Sequence, residues 1–272
     1  METLFANIQI QTTTSCNRAC DFCPKSAEIP LPEGGMRYAL FERIAGNLGR
    51  LNFAGRVSPY MHAEPLLDLR LPEMIRLIRH ECPCAYVMVN SNGDLLREDN
   101  LLALFGAGLN CLTVNCYDTT VQFEGRFEFV AELARRHRGF HVQAGGPTYE
   151  EYAPHPPDYH FVVVRDCTQY ALGSEFLTSR AGDVRGKAVC VELPLNRPCS
   201  RPFKQMYINY RGEAVICCED WRHQAIMGNV NDASLEDVWY GTEYQRYRTR
   251  LARADRSLPI CRVCDFREAG TE

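Results

Sequence analysis

The sequence predicts an α/β fold: a partial (βα) barrel, open on one side, followed by a small C-terminal domain. Three observations carry this expectation. Short β-rich runs alternate with helical patterns from residue 8 to about residue 164, the order expected of a parallel sheet covered by helices. About five or six such units are present, which suits an incomplete barrel. Beyond Val189 the pattern changes to a hairpin and a helix, so residues 1–188 and 189–272 are read as two domains.

The elements follow in order. Residues 8–12 (Ile-Gln-Ile-Gln-Thr) alternate like a strand and deliver the chain into a cysteine-rich loop. Leu40, Phe41, Ile44, Ala45 and Leu48 recur at helical spacing. A strand is expected at 56–61, a helix at 72–80, a strand at 85–90 and a helix at 100–106. Then come a strand at 111–115, a helix at 127–138, and short strands at 141–144 and 161–164. Residues 149–158, rich in proline and tyrosine, read as a loop, and 173–186 as a segment of small residues. Residues 206–217 read as a hairpin turning at Arg211-Gly212. Ser234 is the expected N-cap of a helix running to about Ala254, with acidic residues in its first turn. Tyr244 and Tyr247 would form its packing face.

Composition narrows the function. The chain has 272 residues and a net charge of −4, which excludes a general nucleic-acid or membrane-binding surface. No run reaches the roughly 18 apolar residues of a membrane span. The N-terminus lacks the basic region and apolar stretch of a secretory leader. The 14 cysteines are therefore expected to bind metal or stay reduced in a cytoplasmic protein.

The most informative motif is Ser15-Cys16-Asn17-Arg18-Ala19-Cys20-Asp21-Phe22-Cys23-Pro24. Three thiolates on one loop can hold three irons of a 4Fe–4S cubane and leave the fourth open. Structural zinc is the alternative, but it wants four ligands, usually as two close pairs. Cys199, Cys217, Cys218, Cys261 and Cys264 gather in the C-terminal part. One or two hairpin thiolates plus the C-x2-C pair at 261–264 would make a closed site for a second cubane or for zinc. The N-terminal triad tips that choice towards iron and sulfide.

The C-x3-C-x2-C spacing resembles that of the radical S-adenosylmethionine (radical SAM) superfamily. Further stretches are similar to its members with a short auxiliary-cluster (twitch, SPASM-like) domain, in particular those acting on aminocyclitols and sugars. They are residues 52–56, Glu64-Pro65-Leu66-Leu67, Asn92-Gly93-Asp94, Ser179-Arg180-Ala181-Gly182, 217–221, Met227-Gly228-Asn229 and 261–264. The resemblance implies a radical SAM partial barrel with a twitch domain. It also implies S-adenosyl-L-methionine and two 4Fe–4S clusters as cofactors, and a flavodoxin- or ferredoxin-type electron donor. Cys16, Cys20 and Cys23 would hold the SAM-binding cluster; Cys199, Cys217, Cys261 and Cys264 would hold the auxiliary one, leaving Cys218 free. Glu64 stands in the family's Gly-Glu-Pro motif, where Ala63 replaces glycine, and would accept hydrogen bonds from the SAM ammonium. Phe22, Ser91, Asn92, Asn115 and Tyr117 are the other implied cofactor contacts.

Four residues are read as catalytic: His62, Arg180, Cys218 and Glu219. A guanidinium at 180 offers fixed donors to a substrate, with a structural salt bridge as the alternative. Glu219, and less so Asp220, would take a proton or a hydrogen bond from a hydroxyl, unless they are exposed hairpin acids. Cys218, free beside a ligand, is a competent hydrogen donor to a carbon radical; the family's aminocyclitol dehydrogenase has no cysteine there. The leading expectation is an epimerase of a small carbohydrate or aminocyclitol in natural-product biosynthesis. An alcohol dehydrogenase comes next and a peptide-modifying enzyme third.

Overall fold

The computed structural model describes residues 4–27, 30–137, 139–146, 160–170, 177–184, 186 and 191–267. The loop expected at 149–158 and the boundary near Val189 lie outside the described residues, as does part of the segment 173–186. One mixed sheet organises the rest. Its strands are β1 (Asn7–Ile10), β2 (Arg56–Ser58), β3 (Tyr86–Ser91), β4 (Cys111–Cys116), β5 (Phe140–Gly145), β6 (His160–Asp166), β7 (Gln205–Ile208), β8 (Glu213–Val215) and β9 (Ile226–Asn229). They lie side by side in the order β5-β6-β4-β3-β2-β1-β7-β8-β9. Every pairing from β5 to β7 is parallel, and β8 and β9 add antiparallel. The hairpin strand β7 pairs directly with β1, Asn7 opposite Gln205 and Ile10 opposite Ile208. The C-terminal part thus extends the barrel sheet from its first strand.

Parallel register gives the sheet two unlike faces, because side chains alternate and paired residues share a side. Ile8, Val57, Val87, Val89, Leu112, Val114, Val162 and Val164 belong to the main core. They share it with α1 (Tyr38–Arg50), α2 (Leu71–Glu81), α3 (Glu98–Gly106) and α4 (Thr120–Arg136). The alternate positions carry a small cluster of Tyr86, Met88, Cys111 and Val163. Beyond it, on the same side by register, stand Asn90, Thr113, Asn115 and Arg165. This concave face is polar towards the C-terminal ends of the strands, the edge from which βα loops build sites.

Two helices differ from the sequence expectation. α4 begins seven residues before the expected start at 127, because Thr119 caps it by accepting from the Gln122 N–H at 3.1 Å. Its first turns carry few apolar residues, so periodicity alone missed them. The long helix expected after Ser234 is two, α6 (Leu235–Trp239) and α7 (Thr242–Leu251), preceded by the single turn α5 (Arg201–Lys204). Ser234 does cap α6, in a capping box with Asp237. The break comes at Gly241, which is extended (φ −64°, ψ 160°) and N-caps α7. Tyr244 and Tyr247 are buried, as their spacing predicted. No helix among the described residues is long and apolar enough to cross a membrane.

Gly55 fixes the seam between β1 and β2. A Cβ there would stand 2.2 Å from the Ala6 carbonyl oxygen, which accepts the Arg56 N–H at 3.0 Å. Gly55→Ala should therefore cost about 1–3 kcal/mol by overpacking, read as a lower urea midpoint with unchanged m-value. Gly46→Ala, where nothing lies within 4 Å of the added carbon, should not lower stability.

Candidate active site

β1 runs straight into the cysteine triad. Cys16, Cys20 and Cys23 are all half-buried. The turn is closed by Cys23 N–H to the Cys20 carbonyl at 2.9 Å, and by Ser26 Oγ to the carbonyls of Cys20 (2.6 Å) and Cys23 (2.8 Å). Burial, then the neighbouring Cys23, pushes the Cys20 thiol up to about 11; burial raises Cys23 as well. A bound cationic metal reverses that balance, since coordination deprotonates a thiol outright.

Two residues inside the motif, to which the sequence reading assigned no role, hold the loop in place. Arg18 forks between Asp94 (2.6 Å from Nε, 2.5 Å from Nη2) and Asp118 (2.8 and 2.9 Å). Asn17 donates to Asp94 at 3.0 Å and accepts from Asn92 at 2.9 Å. The loops after β3 and β4 are thereby tied to the triad.

Glu64 is 2 % exposed and caps the 3-10 turn Pro65–Leu67. Its Oε1 accepts from Leu66 N–H (3.0 Å) and Ser91 Oγ (2.7 Å), and its Oε2 from Asn92 N–H (2.8 Å). Burial raises its pKa against the pull of these donors. Three predicted cofactor contacts, Glu64, Ser91 and Asn92, are one hydrogen-bonded unit. A carboxylate has about four lone-pair sites, so room for an ammonium group remains. Ala63 stays out of the left-handed region; His62, at φ 55°, occupies it instead. The missing family glycine therefore costs the turn nothing at 63.

Phe22 and Tyr117 come together, their ring centroids 5.1 Å apart. Tyr170, which sequence reasoning missed, joins them at 5.6 and 6.2 Å. Asn115 stands apart from this group, its Oδ1 accepting from Arg165 at 3.0 Å.

Cys199, Cys217, Cys261 and Cys264 line one cavity of about 330 Å³, mouth included, with Arg201, Arg256 and Phe266. Phe266 N–H points at the Cys264 sulfur, 3.5 Å away. Cys218 does not line this cavity. The donor set fits a closed four-thiolate centre. Among the described residues no three thiol, imidazole or carboxylate groups converge as ligands of one metal ion, and cubane thiolates bind separate irons.

Cys218 lies within electrostatic reach of Arg201, Arg180 and Tyr207, and Tyr207, which shares a register row with Gln9 and Ser58, donates its hydroxyl to Gln205. His62 Nε2 lies 2.7 Å from the Cys218 carbonyl, and its ring stacks on Trp221 at 4.0 Å. To meet a carbonyl, Nε2 must donate. Burial holds this imidazole down to about 3, hence neutral.

Glu219 corrects one expectation. It is 1 % exposed and accepts from Arg201 (2.8 Å), Thr178 (2.7 Å) and Arg180 (3.5 Å). Against burial, Arg180 and Arg201 hold it down to about 2, so it is a buried, ion-paired carboxylate. Asp220, also buried, accepts the backbone N–H groups of Gln224 (2.9 Å) and Ala225 (2.8 Å). Neither is an exposed hairpin acid. Arg180 sits in three successive left-handed residues, 180–182, with φ 50°, 52° and 89°. Ser179 N–H, bonded to Asp265 at 2.8 and 2.9 Å, braces that turn.

Comparison with known proteins places the chain beside proteins of similar fold. The SPASM iron–sulfur cluster-binding domain model matches residues 199–265. The chain is 24% identical to the S-adenosyl-L-methionine-dependent 2-deoxy-scyllo-inosamine dehydrogenase of Niallia circulans, over 100% of this chain and 97% of the relative. It is similar to the structure of BtrN in complex with AdoMet and 2-DOIA, with TM-score 0.74 and 24% identity over 98% of this chain and 95% of that one. Streptococcus suis SuiB bound to precursor peptide SuiA is more distant, with TM-score 0.61 and 14% identity over 90% of this chain and 67% of that one. The chain has the radical SAM fold with a SPASM-type domain at its C-terminal end.

The division of thiols gives an analytical test. Anaerobic reconstitution should yield about eight irons per chain, as two cubanes require. Cys217→Ala should hold about four, while Cys218→Ala keeps the full number. Loss of four irons from Cys218→Ala would exchange the roles of the two cysteines.

Proposed function

We propose that the protein is a radical SAM enzyme that inverts a carbinol centre of a small sugar or aminocyclitol. The observation behind this reading is Cys218, which does not line the auxiliary cavity and whose carbonyl meets His62 Nε2 at 2.7 Å. Bound at the triad's cluster, SAM supplies a 5′-deoxyadenosyl radical able to take a hydrogen atom from the substrate carbon. Glu64 offers the ammonium of SAM its remaining lone-pair site. Phe22, Tyr117 and Tyr170 provide flat apolar faces for its base. The Cys218 thiol then gives a hydrogen atom to the opposite face of the carbon: its S–H bond breaks and a C–H bond forms. His62 fixes the backbone of that cysteine through its carbonyl, and Arg180 offers donors to the substrate hydroxyls. The resulting thiyl returns to the thiol by taking one electron from a flavodoxin- or ferredoxin-type donor and one proton from water before the next turnover.

A second reading, oxidation of the same carbinol to a ketone, is favoured by the full-length likeness to a dehydrogenase. The two part at Cys218. With a panel of aminocyclitols, aminoglycosides and nucleotide sugars, the wild type in heavy water should place one deuterium at an inverted carbon. Cys218→Ala should still form 5′-deoxyadenosine but release ketone. Ketone from the wild type, with no solvent deuterium in any alcohol product, would decide for the dehydrogenase.

Glu64→Ala should weaken SAM binding about ten- to a hundredfold, as loss of a charge-assisted hydrogen bond of roughly 1.5–3 kcal/mol requires. Equilibrium binding of SAM to the reconstituted variant measures this. An unchanged affinity in a folded variant removes Glu64 from the cofactor site.

A further inference from the structure

The wall of the auxiliary cavity carries a charge that no neighbouring side chain balances. Besides the four thiols, its charged residues are Arg201, Arg256 and Glu219. Arg201 and Glu219 neutralise each other, 2.8 Å apart. Arg256 is different. It is 3 % exposed and donates only to carbonyls among the described residues, those of Arg197 (3.0 Å), Pro198 (3.0 Å) and Phe266 (3.2 Å). Asp220 and Asp265, close to the ligands in the chain, do not line the cavity and accept backbone N–H groups instead.

Carbonyls satisfy the N–H groups of a guanidinium without cancelling its charge, and arginine cannot shed that charge by losing a proton. Burying a charge is costly unless an opposite one is close by. Inside the cavity the only groups that can provide one are the ligand thiols, and Cys261 and Cys264 lie within electrostatic reach of Arg256. A cubane held by four thiolates is an anion, and reduction makes it more negative. Net charge around a cluster is one of the levers on its reduction potential. The position of the carbonyl partners adds to this, because Arg197 and Pro198 precede Cys199 while Phe266 follows Cys264 by two residues. One side chain thus fastens two ligand segments and points its charge into the structure they form.

We propose that Arg256 sets the electron affinity of the auxiliary cluster, as a fixed buried cation that favours the reduced form. Arg201 cannot do this, since Glu219 already balances it. The inference rests on the reading of the cavity as an iron–sulfur site. In the proposed reaction the electron entering the cluster would come from the substrate radical, which would also release one proton to water and leave as ketone. Arg256 thereby weighs that exit against hydrogen return from Cys218.

The test is a potentiometric titration of the reconstituted full chain, followed by electron paramagnetic resonance. The protein with about eight irons should show two one-electron steps, and alanine at Cys16, Cys20 and Cys23 should remove one of them. In Arg256→Gln and Arg256→Met the other step should fall by about 59 mV or more, a tenfold loss in the equilibrium constant for reduction. Arg256→Lys, which keeps the charge but not the fork, should fall by less than half as much. The differences should persist at high salt, because buried charges are little screened. Arg135→Gln, an exposed arginine on α4 against β5 and β6 at the other end of the sheet, should leave the step in place. Equal potentials in the neutral variants and the unsubstituted chain, with all irons kept, would overturn the proposal. So would a lysine variant as low as the glutamine one, or loss of four irons from all three variants, since either makes Arg256 a clamp and not a charge. Loss of four irons from the neutral variants alone would support it. An unsubstituted chain that takes up only about four irons would instead remove the auxiliary cluster itself.

Discussion

The carboxylate of Glu219 holds the two halves of the site together. It is buried between Arg180, on the left-handed turn 180–182, and Arg201, which lines the auxiliary cavity. Thr178 fills a third position on it. Taking such charges out of water is expensive, and the attraction repays it only when the pairing is nearly complete. Breaking one partner of a buried ion group typically costs about 3–5 kcal/mol, because the others are left uncompensated. The left-handed turn at 180–182 persists for the same reason. Non-glycine residues avoid that region, and here the ion pair and the Asp265 brace hold Arg180 and Ala181 in it.

Glu64 is the contrasting case. It is equally buried, yet its hydrogen-bond partners are neutral: two backbone N–H groups and the Ser91 hydroxyl. Burial pushes Glu64 up, whereas two guanidiniums hold Glu219 down. Environment thus divides two glutamates between two tasks. Glu219 already has its counter-charges and can only anchor. Glu64 has hydrogen bonds without a counter-charge, the state in which a carboxylate gains most from an arriving cation.

Much of this was legible in the sequence, for definable reasons. β1 to β4 and β6 lie largely buried in a parallel sheet and show as β-rich runs, while β5 is mostly exposed; the helices between them show as apolar stripes. The triad at 16–23 and the C-x2-C pair at 261–264 stand out in the sequence because each is short-range. Contacts between loops distant in the chain were not: nothing local to Arg18 announces Asp94 and Asp118, 76 and 100 residues away. Tyr170 joins Phe22 only once β6 has inserted between β4 and β5. Glu219 was misread because its sequence neighbours are thiols and acids, while the arginines that set its charge lie 18 and 39 residues off. The break at Gly241 was visible as a glycine, but glycine alone does not separate a tolerated helix position from a cap.

The adjacent cysteines show how little separates two chemistries on this scaffold. Cys217 lines the auxiliary cavity and Cys218, the next residue, does not. Whatever fixes Cys217 also fixes the next peptide, and His62 pins that peptide from the barrel side by bonding the Cys218 carbonyl. On the proposed reading, a hydrogen donor held this way reaches one face of a substrate carbon and not the other, which is what inversion of a centre demands. With a methyl group in place of that thiol, the substrate radical would have no donor on its far side, and electron transfer would be its remaining exit. On that reading epimerase and dehydrogenase differ by one sulfur atom.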